Sequence, residues 1–202
     1  MSENTKPSIS ELICTRISHD IIGNIGAVSN AVELLEEGDM DFIDDIKSIL
    51  KVSSSVLTAR LKFFRLAFGL SNSNLNDANT VAETTKNYLR TLGNANYPIS
   101  LDLELHSTNF NRIAMLAIMI MADVIIKGGQ IEAREFDSHF AVIIHSDNPL
   151  SAEKINNIKS VLRGELPENP APYAPVVYLQ NMLNNSKKIH IIEDNTFGFI
   201  IQ

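Results

Sequence analysis

A single cysteine, Cys14, stands among 202 residues, which excludes an intramolecular disulfide framework and a cysteine-rich zinc site. No Lys/Arg-rich stripe occurs, and 17 basic against 24 acidic residues leave a net charge of −7. That balance argues against nucleic acid as a partner. Long apolar runs are missing as well. The longest, Ile113 to Ile126, has 14 residues and contains Asp123, so it is too short and too interrupted for a bilayer span. The opening Met1 to Lys6 is polar, and no signal peptide is expected there. Internal repeats and low-complexity segments are absent. What is present is a globular balance of 45% apolar and 20% charged residues, enough to bury a core. A cytoplasmic protein is expected.

The sequence changes character near residue 72. The junction Ser71-Asn72-Ser73-Asn74-Leu75-Asn76-Asp77 is polar and rich in turn formers, which sets a boundary between domains 1–72 and 73–202. Before it lie two long helical patterns. Ser8-x-x-Glu11 after Pro7 reads as a capping box, so helix one is expected from Ser8 to about Glu37, stopped by Gly38-Asp39. Its seam is Ile17, Ile21, Ile25, Val28, Val32 and Leu35, with the 3/4 spacing of a coiled coil. Helix two is expected from Asp41 to Gly69, with a seam of Ile43, Ile46, Leu50, Leu57, Leu61, Phe64 and Phe68. The short Gly38-Asp39-Met40 link makes the pair an antiparallel hairpin. Phe42, Ile49, Val56 and Phe63 fall outside the seam. Two hairpins packed as a four-helix bundle would bury them, so a homodimer is expected; the competing arrangement packs the hairpin on its own second half.

After the junction, strands and helices alternate. A polar helix is expected over Asp77 to Leu92, then a strand in the strict alternation of Ile99 to Leu105. Asn109 to Lys127 is apolar nearly all round in its middle, a buried helix. Gln130–Phe136 with Phe140–Ser146 reads as a hairpin. An amphipathic helix over Ser151–Arg163 and a short one over Pro175–Leu183 follow. A last hairpin pairs Lys187–Ile192 with Thr196–Ile201 around Glu193-Asp194-Asn195. The class is α+β: a helical hairpin followed by a mostly antiparallel sheet with helices on one face.

The sharpest local feature is Arg16-Ile17-Ser18-His19-Asp20-Ile21-Ile22-Gly23-Asn24-Ile25-Gly26. Helical spacing sets His19 opposite the seam, with Arg16, Gly23, Gly26, Asn30 and Glu33 on its own face. Each glycine inside a helix costs up to about 1 kcal/mol against alanine, so two beside one histidine suggest a close approach there. An exposed imidazole with a neighbouring acid suits nucleophilic phosphoryl transfer. One ring nitrogen attacks while the other keeps its proton, Asp20 can fix that tautomer, and Arg16 can meet a phosphoryl oxygen. On spacing alone an ordinary surface histidine, with i, i+3 and i+4 neighbours, is the favoured reading.

The run Ser18-His19-Asp20-Ile21-Ile22-Gly23-Asn24-Ile25-Gly26-Ala27-Val28-Ser29-Asn30-Ala31-Val32-Glu33-Leu34-Leu35 resembles the phospho-acceptor helix of ChpT-type histidine phosphotransferases. It is similar, more loosely, to the dimerisation helix of sensor histidine kinases. Ala59-Arg60-Leu61-Lys62-Phe63-Phe64-Arg65-Leu66-Ala67-Phe68-Gly69 resembles the same family's second helix. The resemblance implies a homodimer with a four-helix bundle and a C-terminal α/β sandwich similar to a kinase ATP-binding domain that no longer binds ATP. It implies relay of a phosphoryl group from the receiver aspartate of a hybrid kinase to response-regulator receivers. By position His19 would be the acceptor and Asp20 the adjacent acid, while Arg16, Gly23, Gly26 and Asn30 would meet the partner or the phosphoryl group. Kinase-like motifs often carry a hydroxyl or amide residue four after the histidine and proline five after; here stand Gly23 and Asn24.

A live kinase would need an asparagine-bearing helix and an Asp-x-Gly-x-Gly loop. Met115 to Val124 offers Met119, Met121 and Ala122, and Ser146-Asp147-Asn148-Pro149-Leu150 has no glycine. No ATP is therefore expected, and no metal of the chain's own; magnesium would come with the partner receiver. Two rivals are an active histidine kinase and a non-catalytic dimeric scaffold that binds receivers. Elsewhere His106, His139, His145 and His190 read as surface or strand-end residues, and Met115, Met119 and Met121 as core filler. Cys14 is expected to be a small packed residue, Asp123 to pair or cap, Arg60 and Arg65 to serve structure first, and Glu33, Glu36 and Glu37 to be a solvated end.

Overall fold

A computed structural model describes residues 6–38, 42–70, 73–184, 186–193 and 196–202. Helix α1, Ile9–Glu36, starts at its capping box: the Ser8 hydroxyl accepts from the Glu11 amide, and the Ser8 amide donates to Glu11 Oε2 at 2.7 Å. Gly38 follows it at φ 76°, a conformation glycine adopts without strain. Helix α2, Ile43–Phe68, runs back against α1. Asp39, Met40 and Asp41 of the link, and Ser71 and Asn72 at the expected domain boundary, lie outside the described residues.

A 3-10 turn, Ser73–Asn76, leads into α3, Ala78–Arg90, whose first amides are capped by Asp77. Strand β1 is Ile99–Glu104 and α4 is Asn111–Val124. Then come β2, Gly129–Glu135, and β3, Phe140–His145, followed by α5, Ala152–Leu162, and α6, Ala174–Leu183. Strands β4, Ile189–Ile192, and β5, Gly198–Ile201, complete the sheet. Its order is β1-β2-β3-β5-β4. Only β1 and β2 pair in parallel, because α4 carries the chain across between them; the other neighbours are antiparallel. The α+β class expected from the sequence holds. Asp194 and Asn195 of the last turn lie outside the described residues.

Burial follows the alternation. Ile131, Ala133, Val142, Ile144, Phe199 and Ile201 point into the helices and are buried, while Asp102, Glu132 and Arg134 make ion pairs on the open face. Helix α4 is the centre of the core: Met115, Met119 and Met121 have no exposed surface, as core filler should. It is shorter at both ends than expected, since Ile125 turns extended and bridges to Leu150.

Two expectations need correction. Phe63, read as lying outside the seam and covered by a second copy, is fully buried by its own chain. It stacks on Tyr88 of α3 with ring centroids 4.0 Å apart. Phe64, Leu66 and Ala67 join it in one cluster with α4 and the sheet. The foot of the hairpin thus packs on the second half, while Ile25, Val32, Leu35, Ile49 and Val52 further along stay exposed. Cys14, expected to be packed, is exposed, because it sits on the outer side of α1 with Thr15 and Ser18, away from α2.

Candidate functional site

His19 stands on the outer face of α1, beside Thr15, Ser18 and Ile22, with 86% of its side chain exposed. Its Nδ1 lies 3.5 Å from Asp20 Oδ1, too long for a full hydrogen bond, yet close enough for charge to act. Asp20 is a different kind of residue from its neighbour: its side chain is only 16% exposed, because the helix turns it toward the second half.

Arg16 accounts for that burial. One turn before Asp20 on the same helix, it donates from Nε to Asp20 Oδ2 at 2.8 Å. Its two terminal nitrogens form a fork on Asp123 of α4, Nη1 to Oδ2 at 3.0 Å and Nη2 to Oδ1 at 2.8 Å, and Nη1 also reaches the Pro172 carbonyl at 2.8 Å. The expectation of Arg16 on the solvated face, free to meet a phosphoryl oxygen, is therefore corrected. Arg16 falls on the buried stripe of α1 that also holds Leu12 and Ala31, one turn before Asp20 and rotated away from exposed His19, and its guanidinium is spent on Asp123 of the second half. Burial works against its charge, and Asp123 more than offsets this, so its pKa is held above even the usual arginine range. Burial pushes the Asp123 carboxyl up, and Arg16 pulls it back.

A second arginine grips the same residue. Arg60 of α2 donates from Nη1 to the Asp20 backbone carbonyl, from Nε to Thr91 Oγ1 at 3.1 Å and from Nη2 to the Thr91 carbonyl at 3.2 Å. The structural role expected for Arg60 is the observed one. Beneath lies Tyr88, fully buried; among the described residues its hydroxyl has no hydrogen-bond partner.

Gly23, Gly26 and Asn30 continue along α1 from His19 and are exposed. A Cβ added at Gly23 or Gly26 would meet nothing of the chain within 4 Å, so packing inside this chain does not demand either glycine. Among the described residues no cluster of three or more His, Cys, Asp or Glu side chains fits a metal ion, and no helix is long and apolar enough to cross a membrane. The site thus gathers His19 and Asp20 with Arg16, Arg60 and Asp123. Asp123 was read only as a pairing acid. The signal for more was present: a lone carboxylate inside a 14-residue apolar run must find a cation.

Met119 and Met121 are core. In the loop after β3, Ser146 Oγ donates to the Gly128 carbonyl and Asn148 Nδ2 to the Lys127 carbonyl.

No family model matches the chain. Over 65 residues, 32% of this chain, it is 46% identical to "Protein phosphotransferase ChpT" of Brucella abortus (strain 2308). The chain spans about 30% of that relative's length. A solved bacterial phosphotransferase is 25% identical, with a TM-score of 0.75 over 100% of both chains. The Acinetobacter baumannii histidine kinase AdeS, 14% identical with a TM-score of 0.41 over 91% of this chain and 95% of that one, is too distant to bear on either fold or site. The first two likenesses, one in sequence and one over the whole fold, support a ChpT-type family for this chain.

Proposed function

We propose that this chain is a histidine phosphotransferase of a two-component phosphorelay, with His19 as phospho-acceptor and Asp20 as the acid beside it. The observation that carries the reading is the His19 ring, 86% exposed, with Nδ1 turned to Asp20 Oδ1 at 3.5 Å. A carboxylate on that side favours the tautomer with the proton on Nδ1 and leaves the lone pair of Nε2 facing outward.

In the forward step Nε2 attacks the phosphorus of a receiver's phosphoaspartate. The Nε2–P bond forms, the P–O bond to the aspartyl carboxyl breaks, and the electron pair leaves with the receiver's carboxylate. The ring, still protonated on Nδ1, gains positive charge, and Asp20 offsets it. A second receiver's aspartate takes the group by the reverse step. Phosphoryl transfer is mostly positioning and charge neutralisation; magnesium arrives with the receiver, and ATP takes no part. Exposed Gly23 and Gly26 let a partner's backbone come close, and Asn30 continues that surface.

Residues 1–72 form the dimerisation and phosphotransfer unit of this reading, and residues 73–202 the degenerate ATPase-like sandwich. Two hairpins pair as a four-helix bundle. The exposed Ile25, Val32, Leu35, Ile49 and Val52 support that pairing, since apolar side chains left open on both helices of a hairpin gain by being covered. The relay operates in the cytoplasm, between a hybrid kinase and its response regulators.

The test is incubation with a radiolabelled phospho-receiver. Acid-labile label on His19 is expected, and it disappears in His19→Ala while the dimer persists. Undiminished labelling of that variant rejects the reading. Receiver binding without any label identifies a scaffold instead, and label from ATP identifies a kinase.

A further inference from the structure

We propose that Asp123 is a positioning residue for the phospho-acceptor: acting through Arg16, it fixes the Asp20 carboxylate beside His19. The proposal rests on the phosphotransfer reading of His19 and adds to it a residue that lies 107 positions from Arg16 in the chain.

The geometry is a three-membered chain of charges. Arg16 lies between two carboxylates, its Nε edge on Asp20 Oδ2 and its terminal fork on Asp123. With Oδ2 engaged, Asp20 has Oδ1 left, and that is the atom 3.5 Å from His19 Nδ1. A purely stabilising ion pair needs only Arg16 and Asp123. The third member is what links α4 to the acceptor. Arg60 holds the other end of the same residue, its backbone carbonyl, and is itself anchored on Thr91 at the end of α3. Asp20 is therefore fixed at side chain and main chain by guanidinium groups tethered in the second half.

Planarity explains why arginine stands at position 16. A guanidinium offers donors on two edges in fixed directions, so it can hold two carboxylates at a set angle. Lysine, a single point charge, cannot do both. Without Asp123 the guanidinium loses its fork, swings with Asp20, and the angle of Oδ1 toward His19 is lost. The Pro172 carbonyl alone does not fix it, since one acceptor leaves rotation free.

The test uses phosphoramidate, a small phosphoryl donor, so that no receiver contact enters the rate. In the full-length protein, His19 labelling is expected to slow about tenfold in Asp123→Asn, the size typical of losing an orienting partner. Arg16→Lys should slow it similarly, and serves if Asp123→Asn does not fold. In an Asp20→Ala background, Asp123→Asn should slow labelling no further, because its effect passes through Asp20. Ile120→Val, beside the same ion pair on α4, should leave the rate unchanged. Equal rates in Asp123→Asn and parent, the same slowing with and without Asp20, or equal slowing by Ile120→Val would each overturn the positioning role alone. A parent protein that takes no label on His19 overturns the phosphotransfer reading, and the role with it.

Discussion

Replacing Arg16 by leucine tests the ion network without touching the acceptor. Arg16→Leu leaves two carboxylates behind, with side chains 16% and 21% exposed, and orphans the Pro172 carbonyl. Removing one partner of a buried pair costs about 3–5 kcal/mol. Partial water access lowers that here, and about 2–4 kcal/mol is expected. With a urea slope of about 2 kcal/mol/M, the unfolding midpoint should fall by about 1–2 M. The deficit should also depend on pH. Burial already raises the Asp123 carboxyl above its ordinary 3.8, and loss of Arg16 raises it further. A carboxyl whose folded pKa exceeds its unfolded one favours folding below the unfolded value and loses that advantage as pH rises through the folded value. The variant should therefore be closer to the parent at pH 5 than at pH 7. The double variant Arg16→Leu/Asp123→Leu, which leaves only the Asp20 carboxylate without its partner, should recover about half of the loss. Urea melts at the two pH values decide it. A single variant within about 0.5 kcal/mol of the parent, or a deficit that grows on acidification, would refute the reasoning.

A Cβ at position 23 meets no neighbouring atom within 4 Å, and Gly23→Leu replaces a poor helix former. Thermal unfolding should shift upward by the equivalent of about 1 kcal/mol while transfer from a phospho-receiver is lost; full transfer would show that no partner approaches there. The Tyr88 phenol is pushed above its ordinary 10 chiefly by burial, so folding stability should hold below pH 10 and fall as pH rises beyond it. Tyr88→Phe, which keeps the stack on Phe63 and removes a hydroxyl with no partner among the described residues, should flatten that alkaline loss in urea melts. Glu135 is buried, which works against its charge, but Ser107 and the His106 amide outweigh this and hold its pKa below the ordinary 4.5. Its contribution is present above 4.5 and lost as pH falls through the folded value, so Glu135→Gln should weaken folding at pH 7 and narrow the gap at pH 3.

The parts of the fold legible in the sequence were those that local chemistry dictates. Ser8-x-x-Glu11 marked the start of α1 to the residue, and the alternation of Ile99 to Leu105 gave β1. The all-apolar Ile113 to Ala122 gave a buried helix. Each signal lies within about ten residues of what it specifies. The illegible parts are contacts between distant segments. Helical spacing gives the direction of the Arg16 Cβ, but the guanidinium lies several bonds further on, and its partner is 107 residues away. The same limit explains Phe63, whose burial depends on Tyr88 in the next helix, and Cys14, whose neighbours on the outer face leave it uncovered. His19 was legible because exposure opposite an apolar seam is itself a matter of spacing. Asp20 was legible as a neighbour and illegible as a clamped group.

That difference between adjacent residues has a chemical use. In the proposed relay the phospho-acceptor must be reached from solvent and must release its group again, so His19 gains from an open position. The acid beside it acts only if its oxygen stays in one place while the ring changes partners, and a free surface aspartate, with its own rotamers and hydration, does not do so. On a straight helix the two demands fall on consecutive positions about 100° apart, which turns one side chain outward and the next toward the second half. The second half needs to supply only acceptors at that spot: Asp123 and Thr91 tie down Arg16 and Arg60, the cationic donors of the hairpin that hold Asp20. On the proposed reading residues 73–202 bear on the chemistry through the Asp123 and Thr91 anchors. Their contribution in that reading is a fixed frame beside an exposed imidazole.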